Sequence, residues 1–515
     1  MISINLRTFG ILTAVLTTLT QGKDGPRKIG IIGAGIGGTS AAFYLRENFG
    51  PDVDIYIFEE GQNVGGRLAV LNMADSGQAP SLYEVGGSVI HPRNRLMLDL
   101  VEKAGLNAKP TPKGFDPSED TRFTIYGTPG APPLFEMYFA NSYLQKLELL
   151  WHYGVRSLMK MDSLVKSLLN NFSRVYDHLE FGHWTDTDEF LRTVGQHASK
   201  LVGKSLYQSL EDNGVHRSLI EELVTVAVRV NYGQMPGNVH AFVGYIALAG
   251  AEGGLWSIEG GNFILTQELI KLSQAKLVMK RVIGVKRDDK DSSSGGGGDM
   301  NNNIDSTASE NLVLTFEDDT EMHFDMVVVA TPQTADKKPL TFGKMFNQTF
   351  PGTYHQTVAT LVKCKGLNPA FFSQTSQEVS SKGHSGSRNN FYVRSDSALN
   401  SISKIYPVSS KHNDLNVYKV FSQEPLSSQV LDSIFINRTK TIAVDWLAYP
   451  HYEYGNMAWT QTFKLAHNLY YTSAVEGIGS AMEMSALAAK NVANYAFNDW
   501  FEVKLRNKTS TKYEL

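Results

Sequence analysis

The sequence predicts an α/β fold in which a doubly wound, Rossmann-type parallel sheet is interwoven with a second, α+β domain. Three observations predict it. Residues 28–32 and 54–58 read as short buried strands separated by a glycine turn and an alanine-bearing helix at 37–49, which together make a βαβ unit. The Val-rich run 326–330, closed by Thr331 and Pro332, repeats the pattern of a buried parallel strand, so the chain returns to its first sheet. Between these segments the pattern turns helical, and 515 residues exceed what one compact core accommodates.

In chain order, residues 1–22 have Arg7 in a short polar opening, an apolar run from Phe9 to about Leu19 and small residues near Gly22, the layout of a cleaved signal peptide. An N-terminal anchor is the competing reading, but the run falls short of the roughly 20 residues that a membrane helix needs. No later segment offers a long uncharged apolar run. Residues 23–110 then form the first part of the Rossmann-type domain, and 111–250 a helix-rich region with apolar periodicity at 143–169 and 186–228. The second part of the first domain follows at 251–335, interrupted by a disordered Ser-, Gly- and Asn-rich loop at 288–311. Strand-like pieces at 357–362 and 417–421 mark a substrate domain over 336–455. Residues 456–500 supply a strand, a glycine turn and an Ala- and Met-rich helix to the first domain, and 501–515 form a tail.

A formal net charge of -4 excludes a global field that would draw nucleic acid. Cys364 is the only cysteine, which excludes an internal disulfide, a dithiol redox pair and a thiolate metal cluster, so no metal is expected. Sequons at Asn171, Asn347, Asn437 and Asn507 accord with the secretory route that residues 1–22 suggest.

The chemistry begins at Gly33-Ala34-Gly35-Ile36-Gly37-Gly38. Gly33 permits the tight turn, Gly35 the close approach of a pyrophosphate, and Gly38 the packing of helix on strand. The free N–H groups of the helix start then face the diphosphate. Glu59 ends the second strand about twenty residues on, where its carboxylate can accept both hydroxyls of an adenosine ribose, or else stands as a solvated strand-end acid. Gly65-Gly66-Arg67 forms a second glycine motif. It resembles the G-G-R signature of the amine-oxidase and phytoene-desaturase flavoproteins, where the loop follows the diphosphate and the Arg anchors it, which favours FAD over NAD. By the same resemblance Val282 offers its backbone to the adenine edge, although a plain core valine reads equally well. Glu483, in the 480–486 segment, opens a helix that related flavoproteins aim at the flavin ring, while its Met and Ala stripe also suits core packing.

Taken together, residues 28–42, 84–92 with Gly87 and Ser88, 229–234, 255–262, 446–452 and 482–485 resemble the prenylcysteine oxidase (prenylcysteine lyase) family over nearly the whole chain. The 288–311 loop and the single cysteine depart from it. With no His or Cys in an obvious attachment motif, noncovalent FAD is expected, and the resemblance implies a thioether oxidase that cleaves farnesyl- or geranylgeranyl-cysteine with oxygen to cysteine, an isoprenoid aldehyde and hydrogen peroxide. It implies a lysosomal home. A secreted or endoplasmic-reticulum protein, peripheral membrane association and any oligomeric state stay open. Lys512-Tyr513-Glu514-Leu515 resembles a retrieval signal with Tyr513 in place of its Asp. His91 and His451 are candidates for activating water, and Tyr232 for presenting a phenol to the flavin or the amino-acid end; each also reads as a hydrogen-bonded structural residue. Leucines and methionines over 144–169 could line a prenyl slot or simply form core. A flavin oxidase or desaturase acting on an amine or polyene, and a prenyl-binding flavoprotein without turnover, are the alternatives.

Overall fold

The computed structural model describes residues 25–110, 122–138, 142–250, 253–288, 311–346, 349–372, 389–409, 416–455 and 461–502. The signal-peptide segment, the sequons at Asn347 and Asn507, the tail from 503 and nearly all of the 288–311 loop lie outside the described residues.

Lys28–Ile32 is a buried strand at the centre of a six-stranded sheet. Its parallel neighbours are Asp54–Glu59 and Met326–Val329, and the sheet extends in parallel to Lys276–Met279 on one side and Leu469–Tyr471 on the other. Lys464–Ala466 closes one edge antiparallel. The apolar runs expected as buried strands are therefore the middle of the sheet, where both faces are covered. On one face the Ile36–Phe49 helix packs against Met482–Trp500 and Phe263–Leu272. A three-stranded antiparallel sheet, Val282–Arg287, Leu312–Phe316 and Glu321–Phe324, covers the other. Aromatic rings seal that layer: Phe58 lies 5.0 Å from Phe316 and 5.7 Å from Phe324. The second face is thus closed by strands, where a doubly wound sheet read from sequence would place helices.

The second domain is a seven-stranded sheet ordered Lys440–Pro450, Tyr354–Lys363, Val417–Ser422, Leu399–Ile405, Asn389–Tyr392, Arg122–Tyr126, Pro133–Tyr138. All pairs are antiparallel except Asn389–Tyr392 with Arg122–Tyr126. Two stretches inside the region expected to be helix-rich, Arg122–Tyr126 and Pro133–Tyr138, are instead strands of this sheet: they pair with each other as a hairpin, and the first joins Asn389–Tyr392, a long-range pairing of which short-range periodicity carries no trace. The helical region itself starts at Ser142. The single periodic stretch 143–169 is two helices, Ser142–Tyr153 and Val155–Phe172, broken at Gly154, whose φ of 78° a helix cannot contain. The 186–228 stretch likewise splits into short helices from Thr187–Val194 to Thr225–Tyr232. No described helix is long and apolar enough to cross a membrane.

One buried histidine, His240, and two half-buried ones tie stability to pH. Burial holds His183, His240 and His355 down to about 4 each. These values lie below the ordinary ~6.5, so the unfolded chain takes up protons that the folded chain refuses. Their stabilising contribution is complete above pH ~6.5 and is lost as pH falls towards 4. His240 shows why: its Nδ1 accepts from the Val243 N–H at 3.1 Å, capping the Ala241–Ala249 helix, and its other nitrogen meets the Gly477 carbonyl at 3.2 Å. His240→Gln is expected to lose roughly 2 kcal/mol less stability than the wild type between pH 7 and 4.5. Urea midpoints at the two pH values measure it, and equal losses would remove His240 from the account.

Candidate active site

One cavity of about 1270 Å³ runs between the two sheets, larger than the ~300–1,000 Å³ of an ordinary single-ligand pocket. It has room for a cofactor and a substrate together. Gly33, Gly35, Glu59, Gly66, Arg67, Gly87, Ser88, His91, Tyr232, Val282 and Glu483 all line it. Of the sequence candidates, Gly38 and His451 lie elsewhere.

The dinucleotide end is built by two glycine turns that touch. Gly33 has φ 102°, and a Cβ there would stand 2.7 Å from Thr331 Cγ2, so only glycine turns the strand into the loop. Gly38 sits behind the cavity, where a Cβ would come within 1.9 Å of the Gly33 carbonyl oxygen. Gly35, by contrast, is open: its nearest neighbour would be Gly65 O at 3.8 Å. The Gly65 N–H donates to Ala34 O at 2.9 Å, docking the second turn on the first. The Ile36–Phe49 helix starts at Gly35 with no side-chain cap and no acid in its first turn, leaving its positive end to the cavity. Glu59 accepts from the Ala34 N–H at 2.9 Å with one oxygen and from the Gly61 N–H at 2.8 Å with the other. It braces the glycine loop and still holds lone pairs on the cavity wall.

Arg67 lies beside an acid that sequence reasoning missed. Its Nη2 donates to Glu476 at 2.8 Å, and its Nη1 to Ala448 O at 2.8 Å and Ser480 Oγ at 3.0 Å. Glu476 is 5% exposed and also accepts from the Tyr354 hydroxyl at 2.8 Å. Burial alone would push this carboxyl up, but the Arg67 charge and the Arg67 and Tyr354 hydrogen bonds hold it below the usual range. The same pairing outweighs burial and raises Arg67. Lys337, whose Nζ donates to Leu447 O at 3.0 Å, adds a second cation, lowered by burial and by Arg67. No local motif marks Glu476 or Lys337; they reach Arg67 only through the fold.

Glu483 is committed elsewhere than the sequence suggested. Its carboxylate accepts from the Leu96 N–H at 3.0 Å, the Met97 N–H at 2.9 Å and the Tyr176 hydroxyl at 2.8 Å. It caps the Arg95–Lys103 helix across the cavity wall and leaves the uncapped start of Met482–Trp500 facing inward. Val282 is buried on the wall at a strand irregularity opposite Phe316. Gly87 is pinned by its N–H to Arg67 O at 3.0 Å and by its carbonyl, which accepts from Asn262 Nδ2 at 2.9 Å.

The substrate end has an apolar helical wall, Leu168, Leu169, Phe172, Val230 and Ile246. Among the described leucines and methionines over 144–169, Leu168 and Leu169 line it, Leu149, Leu158, Met161 and Leu164 pack against the core, and Leu147 and Met159 are solvent-exposed. Tyr232 is buried and meets Tyr449 edge to face at 5.2 Å. Burial, then Tyr449, raises its phenol, which stays protonated as a donor. His91 Nδ1 accepts from the Arg93 N–H at 3.1 Å and so shapes its own turn. His451 is a correction: it lies on a second cavity of about 500 Å³, with its ring 5.2 Å from His355, away from the glycine turns. Tyr449 belongs to the Lys440–Pro450 strand and lines the first cavity, whereas His451 follows the last residue of that strand and lines the second. Gln234 faces that chamber too and ties Pro450 O and the Tyr452 N–H. Burial pushes the Cys364 thiol up to about 11, as suits a core residue.

A profile of the prenylcysteine lyase family matches residues 139–508. This chain belongs to that family. A profile of the NAD(P)-binding Rossmann-like domain matches residues 31–104, which contain both glycine turns. Prenylcysteine oxidase 1 of Bos taurus is 33% identical over 487 residues, covering 92% of this chain and 89% of that protein. The Homo sapiens protein of that name is also 33% identical, with 92% and 90% covered, and prenylcysteine oxidase 1-like of Mus musculus is 30% identical, with 96% and 94%. Two amine oxidases share the fold: putrescine oxidase, with a TM-score of 0.57 at 13% identity over 91% of this chain and 98% of that one, and cyclohexylamine oxidase from Brevibacterium oxydans, with 0.57 at 15% over 92% and 99%.

Proposed function

We propose that the chain is an FAD-dependent thioether oxidase that converts farnesyl- or geranylgeranyl-cysteine, oxygen and water to cysteine, an isoprenoid aldehyde and hydrogen peroxide. The observation that carries the reading is a single cavity in which a dinucleotide cradle continues into an apolar helical slot, in a chain of the prenylcysteine lyase family. The residues present fit FAD. Gly35 leaves open the space that a pyrophosphate needs, the uncapped helix starts at Gly35 and Ala481 suit its anionic parts, and Glu59 retains lone pairs for a ribose. Arg67, Gly66, Gly87, Ser88 and Val282 would hold the remainder, with Glu483 positioning the wall around it.

The chemistry that FAD would supply when bound is acceptance of a hydride from the allylic carbon next to sulfur and delivery of the electrons to oxygen. The chain supplies position. Leu168, Leu169, Phe172, Val230 and Ile246 bury the isoprenoid, which aligns the thioether without a strong base. Tyr232 donates from its protonated phenol to the polar end or to the water that completes cleavage, and His91 stands on the same wall. Localisation in the secretory pathway, ending in the lysosome, belongs to the same reading. Asn437 supports it, lying exposed in a tight turn where a glycan has access. Peroxide release on adding farnesylcysteine under air tests the activity. Stoichiometric peroxide and farnesal are expected, and a yellow protein that yields neither would overturn the substrate assignment.

A further inference from the structure

The far wall of the cavity carries a cation that neither the glycine turns nor the Arg67 cluster engages. Lys419, in the Val417–Ser422 strand, is 8% exposed and lines the cavity. On its sheet face it stands opposite Ser403 on one neighbour and Leu361 on the other, and Phe421 is two residues along. Its ammonium lies 5.0 Å from the Phe421 ring centroid, and among the described residues no acceptor is hydrogen-bonded to it and no acid is ion-paired with it. Glu84 is the acid whose field it feels, but that carboxyl is turned to the Asn262 N–H at 2.7 Å. Burial pushes Glu84 up to about 7 and Lys419 down to about 8, as befits two groups that do not neutralise each other by contact.

A buried ammonium without a contacting anion is costly, and the cost is recovered where a ligand brings the anion. The pyrophosphate of a dinucleotide has its own positive ground in the helix start at Gly35 and the Arg67 cluster. Lys419 stands on the other domain, beside the hydroxyls of Ser401 and Ser403, which also line the cavity.

We propose that Lys419 binds the α-carboxylate of the amino-acid end of the substrate, with Ser401 and Ser403 completing the polar site. This rests on the thioether-oxidase reading and adds to it a specificity determinant: the enzyme selects free prenylcysteine over prenylated thiols or esters that lack the charge. Charge-assisted hydrogen bonds to a buried carboxylate give selection of roughly tenfold or more.

The test compares S-farnesylcysteine with S-farnesylcysteamine, which lacks only the carboxylate, on the FAD-loaded full chain. Wild type is expected to favour farnesylcysteine roughly tenfold or more in kcat/KM, mostly through KM. Lys419→Met should bring the ratio near one by losing farnesylcysteine alone, and Lys419→Arg should restore part of it. Flavin content and visible spectrum should not change. A wild type without preference overturns the proposal whether or not the variants fold. So does a Lys419→Met that slows both substrates equally, or one that shifts the flavin spectrum and so places Lys419 against the cofactor. If neither compound is turned over, the oxidase reading fails, and equilibrium binding of the same pair decides Lys419 alone: preference lost in Lys419→Met upholds it, equal binding by wild type overturns it.

Discussion

Gly38→Ala is expected to destabilise the protein by about 3 kcal/mol and to abolish flavin retention, whereas Gly35→Ala folds nearly normally and still loses the flavin. The two positions lie three residues apart and are both glycine for steric reasons, but the obstacles differ. At residue 38 the added carbon would lie 1.9 Å from the Gly33 carbonyl oxygen, so the Ile36–Phe49 helix must back away from the central strand. That helix also carries Met482–Trp500 on its outer side, and the displacement spreads through the layer. At residue 35 the nearest protein atom would be 3.8 Å away, and φ is -74°, which alanine adopts freely. Only a ligand could object to the methyl group. Urea midpoints and flavin absorbance per mole of protein check both. A Gly35→Ala protein that retains flavin at the wild-type level would mean that no pyrophosphate approaches that turn.

Glu476→Gln is the second large effect. The carboxylate compensates Arg67 directly and Lys337 through space, and it accepts from Tyr354. Its loss leaves two cations facing the cavity without their anion. Removing one partner of a fully buried pair costs about 3–5 kcal/mol; because the Arg67 side chain is 34% open to the cavity, about 2 kcal/mol is expected here. Arg67→Met with Glu476→Gln should recover much of that stability, since an uncharged pair leaves nothing unpaired, while flavin binding stays weak for want of Arg67. Denaturant midpoints of the two single variants and the double variant measure the coupling, and strictly additive losses would mean that the pair does not act as one unit.

The contrast between Gly33 and Glu476 shows what could be read before the fold was known. Gly33, Gly35, Gly38 and Glu59 act within one βαβ unit, so spacing along about 30 residues already carries their geometry. Glu476 meets Arg67 across 409 residues, and Lys419 reaches the cavity only because two domains face each other. No periodicity records such meetings. Glu483 shows a subtler gap: its segment was legible as a helix start at the cavity, but which N–H groups its carboxylate takes depends on how the Arg95–Lys103 helix docks. His451 was misplaced because the strand that carries Tyr449 ends at Pro450, and the course of the chain beyond that end is set by the fold and not by local pattern. The helical region was legible as helical, but its break at Gly154 was not, because the apolar periodicity runs through 143–169 without interruption.

The most direct test of the central claim is to add farnesylcysteine to the purified protein without oxygen and follow the flavin absorbance near its visible maximum. The account predicts bleaching that saturates at one substrate per flavin, with recovery of colour and one equivalent of peroxide when air is admitted. A flavin that stays fully oxidised under excess farnesylcysteine, in a protein that binds it, would contradict the account.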